Sequence, residues 1–223
     1  MASMPEGPEA LEGIVEVDDV ARERLAVYVD LVRKWQTAKN LVAPAALDVL
    51  WSRHVADSAQ ALAALPEARR WVDIGSGAGF PGLVTAILIA NDPQAEVHLV
   101  ESNQRKAAFL RTVARELSLP VTVHPDRIES FAQRYADRLG SIDAVSARAL
   151  ASLPKLLDLA GPFLVRGATG VFHKGQDFAS ELAETTQSWA FDLLQHQSKT
   201  DPGGTIAVLR NVRHMRAETS RSA

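Results

Sequence analysis

The run WVDIGSGAGFPG, residues 71–82, carries Gly75, Gly77, Gly79 and Gly82 directly behind four residues of strand character. Glycine lacks a Cβ and tolerates a left-handed backbone, so it suits a main chain that turns tightly or approaches a ligand closely. A turn with only a packing role is the plainer reading. Glycines this dense behind a strand point instead to a nucleoside-containing cofactor. Two cofactors compete. Gly77-Ala-Gly79-Phe-Pro-Gly82 has the GxGxxG spacing of dinucleotide binders, but in that register Phe80 and Pro81 lie where amide N–H groups should meet a pyrophosphate. The pattern Asp73-Ile-Gly75-Ser-Gly77-Ala-Gly79 is better placed against the strand. It suits S-adenosylmethionine, which has no phosphate and whose ammonium Asp73 can meet directly or through water. A turn or helix-cap hydrogen bond is the alternative for Asp73. Glu101 ends the next strand, where a carboxylate accepts hydrogen bonds from both ribose hydroxyls. NAD enzymes use the same device, and a surface acid near Arg105 is the plainer reading.

These residues need a frame. After Trp71 the chain alternates strand and helix: strands at 71–74, 96–101, 121–124, 142–148 and 169–175, with helices at 81–90, 104–119, 129–139, 153–164 and 178–189. Strict alternation implies an α/β fold with a parallel sheet covered on both faces. Two further strands, 191–198 and 205–212, flank the turn DPGG. A tight turn joins antiparallel neighbours, so a mostly parallel sheet with an antiparallel strand at one end is expected. Ligands in such sheets bind beyond the carboxyl ends of the strands. Ahead of the sheet, Val20, Leu25, Tyr28, Val29, Val32 and Trp35 recur at helical spacing up to about residue 38, and a second helix is expected over Leu47–Leu65, ended by Pro66. The domains expected are a flexible acidic arm over 1–17, a helical N-terminal subdomain over 18–66 and a sheet domain over 67–223.

The totals agree with this frame. The chain has 223 residues, 47% of them hydrophobic, enough to bury a sizeable core. It has no cysteine, which removes disulfides, thiolate metal sites and a cysteine nucleophile; no metal is expected. LVTAILIA, residues 83–90, is too short to span a membrane, and the N-terminus lacks a secretory pattern, so a cytoplasmic protein is expected. The net charge of −3 is uneven. Glu6, Glu9, Glu12, Glu16, Asp18 and Asp19 face no Lys or Arg in the first twenty residues, whereas Arg213, Arg216 and Arg221 outnumber Glu218 at the end. A local basic surface or a solvated charged face would each account for this.

Taken in order, these motifs resemble the glucose-inhibited-division B family (RsmG), bacterial methyltransferases acting on guanine N7 of 16S ribosomal RNA. The resemblance runs through Trp35, Asn40-Leu41, Arg53-His54, Asp57-Ser58, VDIGSGAGFPG, LVES with Lys106 and FLR, then SARALA (146–151) and HKG (173–175). NLVAP departs from the family's more usual Asn-Leu-Thr. The family implies a Rossmann-like class I S-adenosylmethionine-dependent methyltransferase with a seven-stranded sheet. It implies cofactor contacts at Gly75, Phe80, Ile128, Glu129 and Arg148, beside the Asp73, Gly77 and Glu101 already singled out. Taken alone, Ile128 would be core and Glu129 a helix N-terminal acid. Arg148 ends the fourth strand; a guanidinium there can bond guanine O6 and N7, a phosphate or the cofactor carboxylate, or form an ion pair with Asp143 or another acid. Lys174 ends the fifth strand and is the second catalytic candidate; a solvated lysine is its alternative. Arg53 and Asp57 have salt-bridge spacing, and His54 reads as a packed histidine.

Methylating guanine N7 needs no general base, because N7 offers a lone pair and carries no proton. Orientation then supplies most of the catalysis. The absence of cysteine argues against methylation of pyrimidine C5, and SARA is not the Asn/Asp-Pro-Pro-aromatic loop that receives exocyclic amines. The expected partner is 16S ribosomal RNA in the small subunit or an assembly intermediate, met by a monomer. An NAD-dependent oxidoreductase, a non-catalytic ribosome-binding module and a small-molecule methyltransferase are the competing readings.

Overall fold

The structure, a computed structural model, describes residues 6–39 and 41–215; Asn40 of the family motif and Arg216, Glu218 and Arg221 of the basic end lie outside them. Helix α1 (Asp19–Lys39) starts where Asp18 Oδ1 accepts the Ala21 N–H at 2.7 Å. Leu25, Tyr28, Val29 and Val32 form its buried stripe. The second expected helix is three pieces: a 3-10 turn over Pro44–Val49, a π-helical turn over Trp51–Ala56 and α2 (Asp57–Ala64). The N-terminal segment is tied down over its described part, where a flexible arm is expected. Ala10 and Leu11 are buried, and the Glu6 carboxylate caps the π turn, accepting the N–H groups of Trp51 and Ser52 at 3.1 and 3.3 Å.

Strands and helices then alternate: β1 (Arg70–Ile74), α3 (Gly82–Leu88), β2 (Glu96–Val100), α4 (Gln104–Glu116), β3 (Val121–His124), α5 (Ile128–Tyr135), β4 (Ala144–Arg148), α6 (Leu153–Leu164), β5 (Thr169–Lys174), α7 (Phe178–Thr185), β6 (Trp189–Gln197) and β7 (Thr205–His214). The sheet has seven strands in the order β3-β2-β1-β4-β5-β7-β6. The antiparallel strand, β7, lies one place in from the edge, because it returns from the hairpin to pair with both β5 and β6. Its register sets Thr205 opposite Lys174 and Ile206 opposite His173, so the hairpin loop 198–204 arrives at the carboxyl ends of the parallel strands. Helix α7 stops short of the expected Trp189. The indole of Trp189 is buried over Gly161, where a Cβ would come within 3.0 Å of it, and this commits residue 189 to the strand.

One apolar cluster joins α1, the Trp51–Ala64 stretch, α3 and α4 on one face of the sheet; a second joins α5, α6 and β7 on the other. The N-terminal helices thus share a core with the sheet. Among the described residues no helix is long and apolar enough to cross a membrane.

The sheet edge carries a titratable pair. His98 Nδ1 and His124 Nε2 are 3.1 Å apart, and His98 Nε2 lies 3.0 Å from Glu96 Oε1. Burial lowers both histidines, His124 to about 4 with His98, Arg134 and Arg111 adding to the effect. In the unfolded chain each titrates near 6.5. The unfolded state therefore takes up protons first, and the stability these groups contribute is complete above about pH 6.5 and falls as pH drops towards 4. Asp73, raised to about 6, acts the other way and offsets part of the loss. The melting temperature should fall between pH 7 and pH 5, and less steeply in His124→Asn. Equal slopes for the two proteins in thermal melts would refute the assignment to this pair.

Candidate functional site

The glycine loop leaves β1 with Gly75 at φ +68° and Gly77 at φ +58°. The Gly75 and Ser76 N–H groups both donate to the Val100 carbonyl, at 2.9 and 3.1 Å, so the loop is anchored to the end of β2. Glu101, next along, is buried: its Oε2 accepts the Gly77 N–H at 2.8 Å and its Oε1 the Asn103 N–H at 2.7 Å. From the other side the Tyr28 hydroxyl donates to the Ala78 carbonyl at 2.7 Å. The sequence hides this contact, because Tyr28 occupies a core position of α1. Its signal is a phenol in an apolar stripe, which needs a partner for its hydroxyl.

Asp73 lies beneath the loop and not in a cleft. It is 1% exposed, and its Oδ1 accepts the Ser146 hydroxyl at 2.7 Å. Burial pushes its carboxyl up to about 6 against the Ser146 hydrogen bond. A Cβ on Gly82 would come within 2.7 Å of Asp73 Oδ2, so the carboxylate fills the space that this glycine leaves.

Two cavities meet at Arg148. The smaller, of about 270 Å³, is lined by Gly75, Gly77, Phe80 and Lys106, together with His54 and Arg148. The larger, of about 520 Å³, is lined by Arg53, Asp57, Lys174 and Thr200, again with His54 and Arg148. Arg148 Nη1 donates to Asp57 Oδ2 at 2.8 Å and to the Arg53 carbonyl at 2.9 Å. Nη2 meets His54 Nδ1, and the guanidinium carbon lies 5.6 Å from the centre of the Phe80 ring. The acid paired with Arg148 is therefore Asp57. Asp143 instead accepts the Arg69 and Arg70 N–H groups, both at 2.9 Å. Arg53 and Asp57 do not form the salt bridge that their spacing allows: the Arg53 carbonyl and the Asp57 carboxylate both accept from the Arg148 guanidinium.

Burial, then the Arg148 charge, lowers His54 to about 4, so at neutral pH it is an uncharged ring stacked on Phe80 at 4.9 Å. Burial alone would raise the Asp57 carboxyl; His173, Arg148 and the Thr200 hydroxyl outweigh it and hold it below its ordinary value. Burial also lowers His173, which leaves Arg148 as the lasting charge beside Asp57 at neutral pH. Lys174 is not a solvated lysine. It is buried, donates to the Ala151 carbonyl at 2.9 Å and pairs with Glu181 at 2.6 Å, while Glu181 also accepts the Leu153 N–H at 2.8 Å. Ile128 and Glu129 open α5 beyond the end of β3, outside both cavities, with Glu129 exposed.

A family model described as rRNA small subunit methyltransferase G, GidB, matches residues 21–205. The chain belongs to the GidB family. Relatives in this family include the ribosomal RNA small subunit methyltransferases G of Brucella anthropi, 44% identical over 92% of this chain and 95% of its own, and of Parvibaculum lavamentivorans, 46% identical over 92% and 89%. The GidB chain also shares its fold with the O-methyltransferase TomG from Streptomyces achromogenes, solved with S-adenosylmethionine. That match has a TM-score of 0.56 at 16% identity and covers 89% of this chain and 92% of that one. Cofactor-bound Rv0187 from MTB matches with a TM-score of 0.59 at 17% identity, over 93% and 99% of the two chains. The fold is the Rossmann-like class I methyltransferase fold. The oxidoreductase and non-catalytic readings find no support in these relatives. The glycine loop fits S-adenosylmethionine on its own geometry. A Cβ on Gly77 would meet nothing nearer than the Gly75 carbonyl oxygen at 3.8 Å, which leaves open space where a ligand can rest against bare backbone.

Proposed function

We propose that this GidB-family chain transfers a methyl group from S-adenosylmethionine to N7 of a guanine in 16S ribosomal RNA. Its substrate is the small ribosomal subunit or an assembly intermediate, and it acts as a cytoplasmic monomer. The single observation that carries the reading is Arg148, which walls both cavities and so lies where a cofactor in one would face a base in the other. The cofactor, when bound, supplies a methyl group on a sulfonium, which guanine N7 takes with its own lone pair and without losing a proton.

The chain's residues then have to orient, shield and hold. Gly75, Gly77 and Phe80 receive the cofactor along the smaller cavity. Glu101 keeps lone pairs free beyond its two amide bonds, enough to accept a ribose hydroxyl. Ile128 and Glu129 flank the adenine end, next to Glu101, whose N–H donates to the His124 carbonyl at 3.0 Å. Asp73 acts from beneath, as a brace for the loop. Arg148 offers the larger cavity a fixed guanidinium that can bond the O6 edge of guanine. Lys174 is a positioning residue: with Glu181 it ties the end of β5 to the turn that follows Arg148.

The reading is tested by incubating the protein with labelled S-adenosylmethionine and small subunits from cells lacking its gene. Digested RNA is then examined by nucleoside mass spectrometry. The expected product is 7-methylguanosine confined to 16S RNA. Label at another atom, or none in RNA from mature subunits and assembly intermediates alike, would overturn it.

A further inference from the structure

The Arg148 guanidinium touches Asp57, the Arg53 carbonyl, His54 and Phe80, and of these Asp57 alone is charged at neutral pH. A charge-assisted bond holds a guanidinium more firmly than a neutral acceptor does. The orientation of Arg148 therefore depends on the orientation of one carboxylate. That carboxylate has its two oxygens assigned to different partners. Oδ2 faces Arg148 at 2.8 Å, and Oδ1 accepts the Thr200 hydroxyl, also at 2.8 Å, with Gln60 Nε2 at 3.3 Å. His173 Nε2 donates to the Asp57 backbone carbonyl at 2.8 Å and fixes the residue's main chain to β5.

Thr200 is itself held. Its hydroxyl oxygen lies 3.2 Å from Gln60 Nε2 and 3.1 Å from Ser198 Oγ, and its N–H donates to Ser198 Oγ at 3.2 Å. It sits in the β6–β7 hairpin loop, which the antiparallel return of β7 delivers to the larger cavity. Without the Thr200 hydroxyl, Oδ1 keeps only the longer Gln60 contact, and the carboxylate can rotate about its terminal bond, which has a broad, two-fold preference. The guanidinium would then follow it.

We propose that Asp57 and Thr200 are positioning residues for methyl transfer: Thr200 fixes the carboxylate of Asp57, and Asp57 fixes the guanidinium plane of Arg148 between the two cavities. This rests on the reading of Arg148 as the residue that meets the base.

The test compares Thr200→Val, Thr200→Ser and Asp57→Asn with Arg148→Ala on small subunits, by steady-state kinetics, cofactor titration and thermal melts. Thr200→Val should lower kcat about tenfold, the scale of one hydrogen bond to a charged group, with KM for subunits and cofactor affinity little changed. Thr200→Ser, which keeps the hydroxyl, should recover most of kcat. Asp57→Asn, which keeps the shape and removes the charge, should lose more than Thr200→Val. Wild-type kcat in Thr200→Val overturns the proposal, as does a loss confined to KM, to cofactor affinity or to the melting temperature. If Arg148→Ala is inactive while the Thr200→Val and Asp57→Asn proteins are fully active, the proposal alone fails. Full activity in Arg148→Ala removes the reading of the site itself, and the proposal with it.

Discussion

Arg148→Ala should lower kcat about a hundredfold to a thousandfold, the cost of removing one preorganised donor from a reaction centre, while the protein remains folded. The substitution should also destabilise it. The Arg148 and Asp57 side chains are 15% and 17% exposed, so removing the guanidinium leaves a largely buried carboxylate without its ion-pair partner. Breaking such a pair from one side costs about 3 kcal/mol. The two effects separate in the double variant. Asp57→Asn on the Arg148→Ala background should restore most of the stability, because the stranded charge is gone, and none of the activity, because the donor is still missing. Arg148→Lys keeps the charge but loses the planar fork that reaches Asp57, the Arg53 carbonyl and His54 together; it should recover stability better than turnover. Rates measured under single turnover, beside thermal melts, give both quantities. Undiminished transfer by Arg148→Ala would reduce Arg148 to a structural ion pair.

What the sequence discloses here depends on how local each signal is. The alternation of strand and helix is visible because each βα unit carries its own apolar period and its own turn residues, and the loop at 75–82 is visible because its glycines are adjacent. Arg148, Lys174 and Glu101 could be singled out because each ends a strand that can be located from its own residues. The partners of Arg148 could not. Asp57 comes from a helix ahead of the sheet, and its spacing to Arg53 suggests a local pair that the π turn does not make. Thr200 reaches the site only because β7 inserts between β5 and β6, a long-range choice that the turn DPGG leaves open. Glu6 reads as part of a solvated acidic arm until the N–H groups of Trp51 and Ser52 supply a use for its carboxylate. Asp73 shows the opposite limit. Its position in the motif suggests a cofactor contact, and the facing hydroxyl of Ser146 on β4 turns it inward.

Gly75→Val should weaken cofactor binding by more than about a hundredfold, since it combines a conformation that β-branched residues rarely adopt with a direct clash. At φ +68° a Cβ on Gly75 would stand 2.6 Å from Leu150 Cδ1, in the turn that follows Arg148. Either the Leu150 side chain swings aside or the loop moves, and the loop carries part of the wall of the smaller cavity. Gly77→Ala is the informative contrast. Gly77 has a similar φ of +58° and its Cβ would meet no protein atom nearer than the Gly75 carbonyl oxygen, so in the cofactor-free protein its penalty is the left-handed backbone alone, about 1–2 kcal/mol. If backbone strain were the main effect, the two variants would lose similar stability in thermal melts without cofactor. If the packing of the loop against Leu150 governs the cavity, Gly75→Val should lose far more, and it should also depress methyl transfer at saturating cofactor, because the same displacement moves the turn behind Arg148. Unchanged affinity for S-adenosylmethionine by calorimetric titration in Gly75→Val would detach the glycine loop from cofactor binding altogether.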